Sequence, residues 1–148
     1  MPDARANYAT FQAHLFHEND NLNQRLFWYL FSQSLLFGGY SASLNGPEKP
    51  RSDLVADQQG LLLWLLPVTA LLVSAFLYPM IVSSVRHMSG LRKQFEAQAG
   101  NAVSDLPPIH GQPGLRRVAD FGYLVIPLVL SGAWLILLFK LLVRAVAG

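Results

Sequence analysis

The feature that most constrains this chain is the stretch 60–85, an uncharged run with LLLWLLPVTALLVSAFLYPMIV at its centre. About 20 predominantly apolar residues suffice to cross the hydrocarbon of a bilayer as a helix. In lipid every backbone amide needs a partner inside the protein, which leaves the helix as the form such a run can take. Two further segments meet the length requirement, 26–44 and 121–143. The balance of 52% hydrophobic to 14% charged residues, with a mean hydropathy of +0.31, departs from soluble averages in the same direction. The expectation is an all-α integral membrane protein with three transmembrane helices, the first extended into the cytoplasm.

A single membrane domain over 1–148 is then divided as follows: a cytoplasmic amphipathic helix at 1–25, span one at 26–44, an outer loop at 45–59, span two at 60–85, a cytoplasmic helix and Gly/Pro-rich loop at 86–120, and span three at 121–143. Tyr8 to Gln24 has helical spacing and few breakers, so it is expected to run into span one as one long helix. Span two carries Pro67 and Pro79, each lacking a backbone donor, and Pro79 is the better kink candidate because it lies deeper in the helical pattern. Span two is expected to continue towards Ala99, interrupted at Ser89 and Gly90, and Asp53 or Asp57 to cap its start. The stretches NGPEKPRSD and GNAVSDLPPIHGQPG read as turns and irregular loop.

Absence of cysteine excludes disulfides, thiol nucleophiles and thiolate metal sites. The first 25 residues hold Asp3, Arg5, Glu18, Asp20 and Arg25 and no long apolar run, so span one is expected to serve as the insertion signal. The net charge of +2 is spread over several segments with no run of five cations, which argues against a nucleic-acid partner. Seven cations (Arg5, Arg25, Arg86, Arg92, Lys93, Arg116, Arg117) share the side of the N-terminus, against four (Lys49, Arg51, Lys140, Arg144) on the other. The positive-inside rule therefore places the N-terminus in the cytoplasm and the C-terminus outward. Trp28, Tyr29, Tyr78, Phe121 and Tyr123 fall at inner span ends and Tyr40 and Trp64 at outer ones, while Trp134 lies deeper and reads as packing.

Span one is the least lipid-like. At 100° per residue, His14, Glu18, Asn21, Arg25, Tyr29, Ser32 and Leu36 share one face, with Gln33 on its flank. An unpaired amide in hydrocarbon costs several kcal/mol, so Ser32 and Gln33 are expected to face protein or a polar cavity. Two readings stay open: hydrogen bonds within the bundle or between copies, or a polar lumen. Glu18 and Arg25 are expected to pair through Asn21 or across to a neighbouring helix. His14, His17 and Glu18 form an HxxHE pattern with metal-ligand spacing, but a catalytic zinc needs a third ligand and a base. It remains a weak candidate, and no cofactor is expected. Further along, Ser34, Gly38 and Ala42 repeat at i, i+4 and i+8, and Gly132 lies in a small-residue patch of span three; such residues let helix backbones approach closely.

The run HENDNLNQRLFWYLFSQSLLF, through Glu18, Asn23, Gln24, Arg25, Trp28, Gln33, Leu36 and Phe37, resembles small uncharacterised bacterial membrane proteins with three predicted spans. The resemblance implies a multi-pass protein of the bacterial inner membrane, and Glu18, Arg25, Trp28 and Gln33 acting as a unit. The expected function is that of a non-enzymatic assembly or accessory subunit, in contact with membrane lipid and joined to copies of itself or to other membrane subunits. The alternatives are a pore-forming or gated effector with Ser32 and Gln33 turned to a lumen, and a metal-dependent membrane enzyme.

Overall fold

The computed structural model describes residues 4–45, 52–99 and 113–147, which form three helices and, among the described residues, no strand: α1 (Ala4–Leu44), α2 (Asp53–Ala99) and α3 (Pro113–Ala147). The turn-like stretch around Lys49 and Arg51 and most of the Gly- and Pro-rich stretch around His110 lie outside the described residues, as do the side chains of Arg5, Arg116 and Arg117. Two helices contain stretches long and apolar enough to cross a membrane, Asp53–Phe95 and Asp120–Ala147, whose most apolar 18-residue windows each have a mean hydropathy of 2.3. Little of either is covered by the rest of the chain, 17% and 11% of the most apolar windows. The core helix of a water-soluble protein would be mostly buried. In α1 the corresponding half is diluted by Ser32, Gln33, Ser34, Ser41 and Ser43.

Helix α1 runs unbroken from Ala4 to Leu44. Helix α2 begins at Asp53, one of the two residues expected to cap it and ahead of the span expected from residue 60, and the carbonyl of Ser52 accepts the amides of Val55 at 3.1 Å and Ala56 at 3.3 Å. Asp53 lies in the first turn, where its charge favours the positive helix end. The expected break at Ser89 and Gly90 does not occur. The Ser89 hydroxyl donates to the carbonyl of Arg86 at 3.0 Å, inside the helix, while Met88 and Leu91 on either side are held in the core. Pro113 opens α3, a first-turn position where a missing amide costs nothing, so the loop expected to run through Gly114 ends sooner.

The chain groups into two units, one of Met1–Leu26 with Pro79–Leu124 and the other of Phe27–Tyr78 with Val125–Gly148. All three helices contribute to both, and Pro79 is the residue at which α2 passes between them. In the first unit Leu15 and Leu22 of α1 pack with Ile81 and Met88 of α2, flanked by Leu26, Val85, Leu91 and Tyr123. Tyr8 and Phe11 stand edge-on to Phe95, with ring centroids 6.1 and 5.3 Å apart. In the second unit Tyr40, Ala70 and Trp134 form the core, with Phe37 stacked on Trp134 at 4.1 Å.

Within each unit, partners on α2 fall in number as those on α1 rise, so α1 and α2 are antiparallel there. The core positions keep steps of three, four and seven. Leu15 and Leu22, Ile81 and Met88, Tyr29 with Gln33 and Tyr40, Pro67 with Ala70 and Ser74, and Pro127 and Trp134 all obey this rule. That is the repeat of helices packed knobs-into-holes, 3.5 residues per turn, rather than the free 3.6.

Candidate functional site

The polar core of the second unit is built around Gln33, only 1% exposed. The indole nitrogen of Trp134 donates to Gln33 Oε1 at 2.7 Å. Indole N–H is a donor only, so this contact settles the orientation of the amide. Gln33 Nε2 then points to α2, 3.3 Å from the carbonyl of Ala70 and 3.5 Å from Ser74 Oγ. Ser74 in turn donates to the same carbonyl at 2.9 Å. The hydroxyl of Tyr29 lies 3.0 Å from Ser74 Oγ and 3.2 Å from the carbonyl of Pro127, with one proton to share between them. Ser131 also donates to that carbonyl, at 2.7 Å.

One amide therefore touches α2 and α3 at once. Each of its polar atoms is engaged, which is the condition under which a buried polar network rigidifies a core. The α2 and α3 side of the node carries Ser74 and Trp134, polar groups in otherwise apolar stretches. Their types were the available signal, since a polar side chain in a span generally faces protein. The node holds helices in register and contains no charged group.

The first unit has its own polar contacts. Arg25 Nη1 donates to Ser84 Oγ and to the carbonyl of Met80 at 3.4 Å. The Tyr123 hydroxyl donates to Asn23 Oδ1 at 2.7 Å, tying α3 to α1, and Arg92 pairs with Asp120 at 3.9 Å. Serines 74 and 84, and the Arg92–Asp120 pair, escaped the sequence reading, which looked for polar partners on α1.

Several expected site residues lie elsewhere. His14 is exposed, because its neighbour Leu15 takes the inward position and burying leucine gains more than burying imidazole. Trp28 is 62% exposed, and it is Tyr29 beside it that is buried, with its hydroxyl against Ser74 and the carbonyl of Pro127. Glu18 and Asn21 are half-buried, and Arg25 turns to α2 rather than to Glu18. Ser32 donates to the carbonyl of Tyr29 at 2.8 Å within its own helix. A lumen lined by Gln33 is not what the geometry forms, since Gln33 has its partners on its own chain. His17 and His87 are exposed, and among the described residues no three His, Asp or Glu come together as metal ligands.

The small-residue ridge turns outward. Ser34, Gly38 and Ala42 are exposed, and a Cβ placed on Gly38 or Gly132 would meet nothing within 4 Å. Gly39, on the adjoining ridge, does face α2: a Cβ placed on it would lie 3.6 Å from a methyl of Leu66. Beside the outward ridge Phe27, Trp28 and Phe31 form an exposed aromatic cluster with centroids 5.7 to 6.2 Å apart. Trp28, Phe31, Leu35, Gly38 and Ala42 repeat at steps of three and four, a second 3.5-residue seam facing away from the core.

Compared with protein families, with curated proteins and with solved structures, the chain matches none. Its function is read from its own residues.

Proposed function

We propose that the chain is a non-enzymatic membrane protein with three spans, in the bacterial inner membrane with its N-terminus inside, acting as an assembly or accessory subunit that joins copies of itself or other membrane subunits through the outward face of α1. The observation that carries this reading is the outward seam of Trp28, Phe31, Leu35, Gly38 and Ala42. Aromatic knobs beside small residues at a 3.5 repeat form the pattern by which one helix receives another, and in lipid the gain is close packing rather than hydrophobic burial. The polar groups of α1, which would otherwise be its reason to seek a partner, are already used within the chain at Gln33 and Arg25.

Exposed apolar side chains on all three helices, Phe76, Phe121 and Phe139 among them, support a lipid surround, since a water-facing monomer rarely shows such area. The third span is α1 itself. Its apolar half is too polar to be recognised by hydropathy, but with Gln33 buried the side chains left for lipid are largely aromatic and aliphatic.

The test is Gly38→Leu. Open space at Gly38 means the chain's own fold keeps its shape, whereas a leucine fills the close approach to a second helix. Native mass spectrometry from lipid nanodiscs is expected to show a defined oligomer or a complex with another subunit for the parent chain and a monomer for the variant, while Leu128→Ala, on an exposed position of α3, changes nothing. A parent chain that is monomeric in lipid, and that a photo-crosslinker at position 38 joins to no protein in native membranes, overturns the proposal.

A further inference from the structure

One end of the second unit carries a cleft of about 170 Å³ between α1, α2 and α3. Leu63, Leu137 and Leu141 make its apolar walls, Tyr40 closes one side, and Lys140 and Arg144 are the charged residues that line it; no acidic side chain does. The two cations are one helical turn apart, and like charges at i, i+4 oppose each other. An anion between them would remove that opposition. Arg144 also lies in the last turn of α3, where a cation favours the negative helix end. That accounts for one cation, and leaves unexplained a second on the same cleft. Tyr40 is buried, edge-on to Trp134 at 5.7 Å, and its hydroxyl is engaged by no other described residue.

We infer that this cleft binds an anionic phospholipid, its phosphate between Lys140 and Arg144 and the upper part of an acyl chain along Leu63, Leu137 and Leu141. The combination of a charged mouth with apolar walls selects an amphiphile over a free anion, and the sign of the mouth selects an anionic headgroup over a zwitterionic one. Lys140 and Arg144 are exposed, long-stemmed side chains near a helix end, placed as snorkelling cations are at the headgroup level. This inference rests on the membrane reading of the proposed function.

The experiment uses the full chain, delipidated in mild detergent and titrated with phosphatidylglycerol or phosphatidylcholine of the same acyl composition, with retained lipid counted by native mass spectrometry. Phosphatidylglycerol is expected to be preferred. Lys140→Gln with Arg144→Gln is expected to weaken it about thirtyfold, roughly fivefold per cation, while Lys140→Arg with Arg144→Lys keeps it. Leu137→Trp, which fills the cleft and leaves both cations, is expected to lose the retained lipid, with circular dichroism checking that the helices persist. Soluble glycerol phosphate is expected not to compete.

Equal retention of the two lipids, no loss on neutralising both cations, or full competition by glycerol phosphate each overturns the inference. So does a folded Leu137→Trp variant that retains the lipid, because the cations alone would then suffice. An alkaline carbonate wash of native membranes separates the two failures. A chain released by the wash overturns the membrane reading and this inference with it, whereas a chain that stays but shows no lipid preference overturns the inference alone.

Discussion

Gln33 shows how one residue can organise a core that has few polar groups to spend. Its carbonyl oxygen takes the indole proton of Trp134 and its amide faces Ala70 and Ser74, so replacing it strands groups on two helices. Gln33→Leu is expected to destabilise the fold by about 1–3 kcal/mol, the cost of leaving a buried donor unmade. Combining it with Trp134→Phe tests the assignment more sharply. The double variant should be more stable than the sum of the single losses, by a coupling of about 0.6–1.7 kcal/mol as found for hydrogen bonds between membrane helices. Unfolding in mixed micelles measures the cycle, and strictly additive losses would show that the indole and the amide do not interact. That Gln33 needed protein partners was readable from its chemistry in an apolar span. That Trp134, rather than another copy of the chain, supplies one of them was not, because residues 101 positions apart meet only through the packing of α1 against α3.

At the scale of the element, α1 carries two seams. The inner one follows Leu15, Leu22, Tyr29, Gln33 and Tyr40 and the outer one Trp28, Phe31, Leu35, Gly38 and Ala42. The polar residues of α1 place His14 on the inner face, but the buried positions Leu15, Leu22, Tyr29, Gln33 and Tyr40 centre that face elsewhere on the helix and leave His14 outside it. A rotation of one residue is enough, since the stripe is narrow and each buried position lies beside an exposed one. In α2 tertiary burial overrides local propensity. Ser89 and Gly90 have low helix propensity, yet Met88 and Leu91 anchor the turn from either side, and tertiary burial outweighs propensities of about 1 kcal/mol. Gly90 sits in open space, so Gly90→Ala is expected to stabilise the chain by about 0.5–1 kcal/mol in the same unfolding assay. A loss instead would mean that the helix is opened there in solution.

For the whole molecule a mixed interior, with Gln33, Ser74 and Ser84 buried beside the apolar core, is paired with a surface that exposes Leu and Phe side chains on all three helices. Such a surface suits a hydrocarbon surround, and in the proposed membrane setting the cation bias is what would orient the chain. Because the chain has no cysteine, single introduced cysteines report orientation without background. A cysteine at Lys49 is expected to react with an impermeant maleimide added outside intact cells, and one at the exposed His87 to react only after lysis. The reverse pattern would invert the topology. Labelling of both positions only after lysis would instead remove the span assigned to α2, which lies between them.

What the sequence by itself determined was the helical class and the two stretches able to cross a membrane, because length and hydropathy act locally and an uncharged run of that length has few other forms. The small residues around Gly38 and the polar residues around Gln33 were also legible as features that call for a neighbouring helix. Only the tertiary structure decided which neighbour each one has. The polar group turns inward to Trp134 and Ser74, and the Gly38 ridge turns outward, since an unpaired amide in an apolar surround costs far more than an unfilled van der Waals contact.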